Sequence, residues 1–178
     1  MVNNLNEEFV KRVINNRNIY KLFVNFIADK YPNNLNVLDV GSGRGTTSCL
    51  LSKMGYKVSA MDLFSKYALD RFERYDVKVL NEYFELDTDI SSYDLITGFH
   101  CCGAIEKIIV NSIKNSKEFV VTICETRNGL YQDNIMNKRE DYINYLMKID
   151  NNIKRIDLPI YVDSECWGHT LYLKREIS

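Results

Sequence analysis

The sequence predicts an α/β fold in which a mostly parallel sheet carries helices on both faces. Short apolar segments alternate along the chain with longer segments whose apolar residues recur every three or four positions. Such alternation is typical of parallel strands joined by helical crossovers. The chain has 178 residues, 46% of them hydrophobic, which is enough for one domain with its own core. We therefore expect residues 1–178 to form a single domain.

The first half of the chain is expected to contain three strand–helix units. Apolar residues at helical spacing over Leu5–Asp29 predict one or two amphipathic helices, and Tyr31-Pro32 ends that segment. The strands that follow are predicted at Asn36–Val40, Lys57–Met61 and Val77–Leu80, and the helices at Thr46–Met54 and Phe64–Tyr75. A glycine-rich turn, Gly41–Gly45, links the first strand to the first of these helices.

The second half continues the pattern and then departs from it. Strands are predicted at Tyr93–Phe99 and Glu118–Cys124, and helices at Gly103–Asn115 and Lys138–Ile149. A loop is predicted at Glu125–Asn137, between the second of these strands and the second helix. Two closing strands follow, Ile153–Val162 and His169–Arg175. Because no helix separates the closing strands, one of them should run antiparallel. The domain thus has an N-terminal helical segment (1–30), a core of alternating strands and helices (36–124), and a C-terminal loop, helix and closing strand pair (125–178).

Charge and composition exclude some classes of protein. With 23 basic and 24 acidic residues the formal net charge is −1, which gives no strong attraction to nucleic acid or to an anionic membrane, although a local basic patch is compatible with it. No apolar segment approaches the length of a membrane span, and the N-terminus lacks the pattern of a signal peptide. We expect a cytoplasmic protein whose five cysteines are free thiols.

The segment Val37–Gly45 carries the strongest functional signal. It reads Val-Leu-Asp-Val-Gly-Ser-Gly-Arg-Gly and resembles the first motif of class I S-adenosylmethionine-dependent methyltransferases, an acid followed by Gly-x-Gly-x-Gly. The resemblance covers roughly Asn36 to Cys124. It implies a Rossmann-like sheet of seven strands with one antiparallel strand near the C-terminus, S-adenosylmethionine as cofactor, and methyl transfer as the reaction.

The residues predicted to bind the cofactor lie at the carboxyl ends of the first four strands, where ligands of such sheets bind. They are Asp39, Gly41, Ser42, Gly43, Gly45, Asp62, Asn81 and Phe99. Glycines let the chain turn sharply and let a ligand lie against the backbone. Asp62, 21 positions after Gly41, can accept hydrogen bonds from both ribose hydroxyls. In the family a polar residue at the position of Asn81 commonly meets the adenine amino group, but turn geometry explains an asparagine there equally well.

Two other interpretations of the glycine turn remain open. Dinucleotide-binding folds favour Gly-x-Gly-x-x-Gly, whereas the third glycine here comes one residue earlier. An acid at position 39 would repel a pyrophosphate and suits the cationic methionine end of S-adenosylmethionine. The remaining alternative is a glycine-rich turn in an unrelated α/β domain.

The acceptor end of the site is predicted to follow the fourth strand. Gly98–Gly103 reads Gly-Phe-His-Cys-Cys-Gly and is similar to a His-x-Cys-Gly segment of some methyltransferases, several of which act on RNA. His100 is the candidate general base or substrate-orienting group, because imidazole titrates near neutral pH. Alternatively, His100 contacts only the cofactor or the backbone. The Asn/Asp-Pro-Pro-Tyr segment of DNA base-amine methylases is absent.

Four residues are predicted on the acceptor side: Cys102, Arg127, Tyr131 and His169. If the last strand lies antiparallel beside the fifth, as in the family, Cys166 and His169 approach the same pocket. Cysteine and histidine at this spacing could bind a metal, but the spacing is not that of a common zinc module, and we predict no metal.

The predicted function is methyl transfer from S-adenosylmethionine to an unidentified acceptor, either RNA or a small molecule. RNA is not indicated by the net charge, and no membrane partner is expected. The sequence does not specify the oligomeric state. Two alternatives are a catalytically silent S-adenosylmethionine-binding protein and a nucleotide-dependent oxidoreductase.

Overall fold

A computed structural model describes residues 19–101, 103–123, 139–156, 161–162, 165–166 and 169–173. Five α-helices are present in these ranges: α1 (Ile19–Lys30), α2 (Thr46–Lys53), α3 (Leu69–Arg74), α4 (Ile105–Lys114) and α5 (Arg139–Met147). A 3₁₀-helix, Ser65–Ala68, directly precedes α3. The strands are β1 (Asn36–Val40), β2 (Lys57–Met61), β3 (Lys78–Leu80), β4 (Leu95–Phe99), β5 (Glu118–Ile123), β6 (Ile153–Ile156), β7 (Tyr161–Val162), β8 (Glu165–Cys166) and β9 (His169–Leu173).

The main sheet has the strand order β3-β2-β1-β4-β5-β9-β6. Strands β1 to β5 pair with one another in parallel, and β9 pairs antiparallel with both β5 and β6. The predicted α/β fold with a parallel sheet flanked by helices is confirmed. The chain proceeds outward from β1 to β3 and then crosses to β4 on the other side of β1, so the order reverses beside β1. Ligands of open α/β sheets bind at such a reversal, outside the carboxyl ends of the strands.

Each face of the sheet has its own hydrophobic cluster. Side chains from α1, α2 and α3 pack with Val37 of β1 on one face. Side chains from α4 and α5 pack with the next residue, Leu38, on the other. Successive residues of a strand point to opposite faces, and a strand covered on both sides is therefore mostly apolar. The apolar segments of the sequence have this pattern because both faces of the sheet are covered.

Two predicted elements are corrected by the structure. The single strand expected over Ile153–Val162 is wrong: β6 belongs to the main sheet, whereas β7 pairs with β8 in a separate two-stranded sheet. Pro159 lies between β6 and β7 in sequence, and it has no backbone N–H to donate to the pairing of a strand that continued through it. The helix expected over Phe64–Tyr75 is divided into the 3₁₀-helix and α3, because the backbone of Ala68 (φ −136°, ψ 26°) is not helical.

The remaining expectations are tested only in part. Cys49 and Cys101 are buried free thiols, as predicted. The loop expected over Glu125–Asn137 and the first 18 residues lie outside the described residues. Within the described ranges, no helix is both long and apolar enough to cross a bilayer.

Candidate active site

The glycine turn leaves β1 at the point where the strand order reverses. Its first amide, that of Gly41, donates a hydrogen bond of 2.9 Å to the carbonyl of Met61 at the end of β2. Gly41, Gly43 and Gly45 have φ values of +67°, +53° and +74°, in the left-handed region that glycine adopts without strain. The backbone conformation of the turn therefore favours glycine at all three positions.

The surroundings of the three glycines nevertheless differ. A Cβ atom at Gly41 would lie 2.6 Å from the Cβ of Cys101, and one at Gly45 would lie 2.1 Å from the ring of Phe72. A Cβ atom at Gly43 would meet nothing within 4 Å. Gly41 and Gly45 thus leave room for neighbouring protein atoms, whereas Gly43 faces open space. The predicted contact of Gly45 with a cofactor stays a prediction, and the structure gives this residue a packing role.

Asp62 directly follows β2, and its carboxylate is hydrogen-bonded to the glycine turn. Its Oδ2 accepts a hydrogen bond of 3.0 Å from the amide of Gly43, and its Oδ1 accepts one of 2.7 Å from the amide of Phe64. The turn is also tied to the 3₁₀-helix by a 3.1 Å hydrogen bond between the hydroxyls of Ser42 and Ser65. The carboxylate is partly exposed, and each of its oxygens has a second lone pair. Asp62 can therefore accept further hydrogen bonds from a ligand that lies over Gly43.

Asp39 lies beneath the turn and is only 1% exposed. Its Oδ2 accepts a 2.5 Å hydrogen bond from the hydroxyl of Ser48 on α2, and its Oδ1 accepts a 3.0 Å one from Thr97 on β4. Burial raises the pKa of this carboxyl to about 6. In this structure Asp39 joins β1, α2 and β4, and its carboxylate is not part of a cavity wall. An influence on a cationic ligand would act through the electric field or through the shape of the turn.

A cavity of about 390 Å³ opens at the carboxyl ends of β1 and β2. Of the residues predicted to bind the cofactor, Gly41 and Asp62 line it. Asn81 is exposed immediately after β3, next to the cavity residue Glu82. The remaining lining residues are Val40, Met61, Leu63, Phe64, Tyr83, Phe84, Glu85, Cys101, Gly103, Ala104 and Lys107.

Sequence reasoning missed two aromatic side chains at this cavity. Phe64 is 64% exposed and Tyr83 is 72% exposed, whereas most of the other aromatic side chains whose exposure the structure describes are buried. Each lies three residues beyond the end of a parallel strand, on the edge where the glycine turn lies. An aromatic residue at that distance after β2 or β3 is the signal that could have identified them.

The charges around the cavity are mainly negative. Three carboxylates line it, those of Asp62, Glu82 and Glu85. The cationic residue of this lining, Lys107, donates a 2.6 Å hydrogen bond to Glu85, so these two charges offset each other and the excess negative charge comes from Asp62 and Glu82. A pyrophosphate would be repelled here, whereas a neutral or cationic ligand would not. This charge distribution disfavours a dinucleotide cofactor.

An aromatic cluster covers the end of β4. The ring of Phe99 stacks on that of His100, with centroids 4.1 Å apart and an interplanar angle of 21°. On the side of α1, Phe99 contacts Tyr20 and Phe23 at centroid distances of 4.9 and 5.1 Å. His100 has a φ of +57°, which turns the chain back at the strand end and lays its ring on Phe99. Helix α1 therefore borders the predicted acceptor end, and the catalytic role of His100 stays a prediction.

Of the four residues predicted on the acceptor side, the structure describes only His169. Cys102, Arg127 and Tyr131 lie outside the described residues. The backbone of His169 pairs with that of Ile123, so β9 begins at the edge where β5 ends. Among the described residues, no group of three or more histidine, cysteine, aspartate or glutamate side chains is arranged to hold a metal ion.

Next to His100, the buried Cys101 is an unsuitable nucleophile. Burial raises the pKa of its thiol to about 12, and the nearby carboxylate of Asp39 adds to this. The thiol therefore stays protonated near neutral pH, and only the thiolate is strongly nucleophilic. Cys101 instead fills the space beside Gly41 and Gly98, where an added Cβ would collide with it.

Comparison with known proteins identifies the family of the chain. A family model described as a methyltransferase domain matches residues 13–120, more than half of the chain. No curated protein sequence matches significantly.

Several solved structures share the fold. A TehB-like SAM-dependent methyltransferase from Corynebacterium glutamicum has a TM-score of 0.60 and 20% identity, over 95% of this chain and 97% of that one. Magnesium protoporphyrin IX methyltransferase from Synechocystis, with bound SAM, has a TM-score of 0.66 and 15% identity, over 97% and 84%. The 1,6-didemethyltoxoflavin-N1-methyltransferase of Burkholderia thailandensis, with bound 1,6-didemethyltoxoflavin and S-adenosylhomocysteine, has a TM-score of 0.61 and 15% identity, over 93% and 84%.

Proposed function

The chain belongs to the methyltransferase domain family and is an enzyme of that family, and on this premise we propose that it transfers a methyl group from S-adenosylmethionine to an acceptor. The observation that carries the proposal is the pairing of Gly43 with Asp62. The backbone at Gly43 faces open space, and its amide is hydrogen-bonded to a carboxylate that also lines the cavity. A nucleoside that lies over the turn would thus bring its ribose to Asp62.

The same cavity suits the rest of an adenosine. Phe64 and Tyr83 supply exposed aromatic surface against which a base can pack. The carboxylates around the cavity tolerate a sulfonium cation and repel phosphate. Two of the structurally similar methyltransferases contain bound SAM or S-adenosylhomocysteine, which supports this choice of cofactor.

The acceptor would approach from the ends of β4 and β5. When bound, S-adenosylmethionine supplies an electrophilic methyl group on a sulfonium, and much of the catalysis of such a displacement comes from holding the nucleophile in line. The packed rings of Tyr20, Phe99 and His100 lie at the end of β4. His100 is the candidate to orient the acceptor or to take its proton. The acceptor is RNA or a small molecule.

Isothermal titration calorimetry tests the cofactor. We expect S-adenosylmethionine and S-adenosylhomocysteine to bind with dissociation constants on the order of micromolar, and NAD to give no comparable heat. Heat from NAD with none from S-adenosylmethionine would instead favour the oxidoreductase.

A turnover assay separates an enzyme from a silent binding protein. The purified protein is incubated with methyl-labelled S-adenosylmethionine and fractions of cell extract, and S-adenosylhomocysteine is quantified. Label transfer to a component of one fraction supports the proposal and identifies the acceptor class. Tight cofactor binding without transfer to any fraction would support the silent binding protein.

A further inference from the structure

We propose that a second cavity, which adjoins the glycine turn at Arg44 and shares no lining residue with the first, is a binding site for a phosphate group. This cavity of about 520 Å³ is lined by Arg44, Lys66, Ala68, Leu69, Asp70 and Arg71. Its lining has three cationic side chains and one carboxylate, whereas basic and acidic residues nearly balance in the chain as a whole. The positive charge is therefore concentrated here.

Three elements bring these cations together. Arg44 belongs to the glycine turn, Lys66 to the 3₁₀-helix and Arg71 to α3. The guanidinium of Arg71 donates a 3.1 Å hydrogen bond to the carbonyl of Arg44 and a 3.4 Å one to the hydroxyl of Thr46. Both acceptors are neutral, so these bonds orient the guanidinium across the gap between α3 and the turn without cancelling its charge. A guanidinium held in place can offer its remaining N–H groups to phosphate oxygens.

The residues that line the two cavities carry opposite net charges. The cofactor cavity is lined by Asp62, Glu82 and Glu85, and its one lysine is paired with a carboxylate. The second cavity is cationic and adjoins the turn through Arg44, which lies between Gly43 and Gly45. A phosphate would be repelled from the first cavity and attracted to the second. Hence a molecule with a phosphate group can occupy the second cavity while the cofactor cavity is filled.

A phosphate in this cavity has two possible sources. One is a phosphorylated small molecule, and the other is a phosphodiester of an RNA strand, since the cavity is open and its cations are exposed. The chemistry that the cavity recognises is the same. Phosphate binding here does not require the proposed methyl transfer, so either proposal can fail without the other.

The test is a titration of the full chain, followed by calorimetry and by ¹H–¹⁵N NMR shifts. The probes are orthophosphate, ribose 5-phosphate and decauridylate at low salt. The key variant is Arg44→Gln/Lys66→Gln, which keeps Arg71 and its contacts. The matched control is Lys114→Gln/Lys148→Gln, which removes two equally exposed cations far from the cavity in sequence. A third variant, Asp70→Asn, removes the only carboxylate of the lining.

We expect at least one probe to bind wild type and to shift the amides around residues 43–46 and 65–71. The key variant should weaken binding by about tenfold, the control by less than about twofold, and Asp70→Asn should strengthen it by about twofold. Tighter binding of decauridylate than of ribose 5-phosphate assigns the site to RNA, and the reverse assigns it to a phosphorylated small molecule. Equal weakening in both double variants, or no binding of any probe, would overturn the proposal.

Discussion

Asp39 and Asp62 lie at the same edge of the sheet, on neighbouring strands, but in opposite environments. In the register of β1 and β2, Asp39 pairs with Ala60, so Asp62 extends two residues further toward the edge. That distance, about 7 Å, takes the carboxylate from the space between sheet and helix to the wall of a cavity. Asp39 is held by two hydroxyls and is almost fully buried, whereas Asp62 holds two backbone amides and stays partly exposed.

Asp39 supports the proposed ligand site from beneath, whereas Asp62 lines the cavity and can contact a ligand directly. The three glycines of the turn divide in the same way, since Gly43 faces open space while Gly41 and Gly45 face protein atoms. Substitutions at inward-facing positions should change stability, and those at outward-facing positions should change cofactor affinity. The four predictions below test this division.

The largest effect is expected at Gly43. Gly43→Val should lower the affinity for S-adenosylmethionine by about 100-fold or more, because a branched side chain at positive φ would occupy the path of the ligand and strain the turn. Gly43→Ala is the graded control, since its Cβ meets nothing within 4 Å in the free protein. Calorimetry measures both variants, with circular dichroism to verify folding. Wild-type affinity in a folded Gly43→Val protein would show that the ligand takes another path.

Gly45→Ala should act on stability instead. The added Cβ would lie 2.1 Å from the ring of the buried Phe72, and φ is +74°. Overpacking and left-handed strain together predict a loss of about 2–5 kcal/mol in the free energy of unfolding. Urea denaturation measures this, and adding Phe72→Leu should recover part of it if the collision is the cause. A variant of normal stability that no longer binds the cofactor would instead place Gly45 in the ligand contact.

Asp39→Asn should alter the pH dependence of stability. The pKa of Asp39 is about 6 in the folded protein and 3.8 in the unfolded reference, so the folded state binds more protons between these values. Stability contributed by this group therefore falls as pH rises from about 4 to 6, and the full penalty, about 3 kcal/mol at most, is present at pH 7. Asparagine removes the ionisation and should raise the denaturation midpoint at pH 7 but not at pH 4.

Denaturation curves of wild type and Asp39→Asn between pH 4 and 8 decide the matter. Parallel curves would mean that the carboxyl ionises without penalty. The same variant tests the field of Asp39 on the cofactor: a loss of affinity for cationic S-adenosylmethionine that exceeds the loss for neutral S-adenosylhomocysteine would show that the field reaches the sulfonium.

Asp62→Ala is expected to have the smallest effect on binding energy. Loss of the charged acceptor should weaken S-adenosylmethionine binding by roughly 1–3 kcal/mol, or about five- to 150-fold. Asp87→Ala, at another exposed aspartate, is the matched control and should bind as wild type. Equal affinity of both variants and wild type would remove Asp62 from the ligand site.

Much of the fold could be predicted from local patterns. The bounds of β1 and β2 agree with the predicted Asn36–Val40 and Lys57–Met61, because a strand buried on both faces appears as a short apolar segment with polar neighbours. The predicted strand over Ile153–Val162 was less accurate. The pattern of apolar residues continues through Pro159, although β6 belongs to the main sheet and β7 pairs with β8. An apolar pattern alone does not specify which strand a segment pairs with.

The sequence by itself determined the sheet, the glycine turn and the two acids at the strand ends. Each of these depends on a few neighbouring residues: the spacing of apolar residues, glycines that permit a positive φ, and the position of an acid at or just after a strand. Only the tertiary structure decided which acid is exposed, which glycine faces open space, and that Arg44, Lys66 and Arg71 surround one cavity. These features depend on register between strands and on helices that meet from separate parts of the chain. Such long-range packing has no counterpart in local sequence pattern.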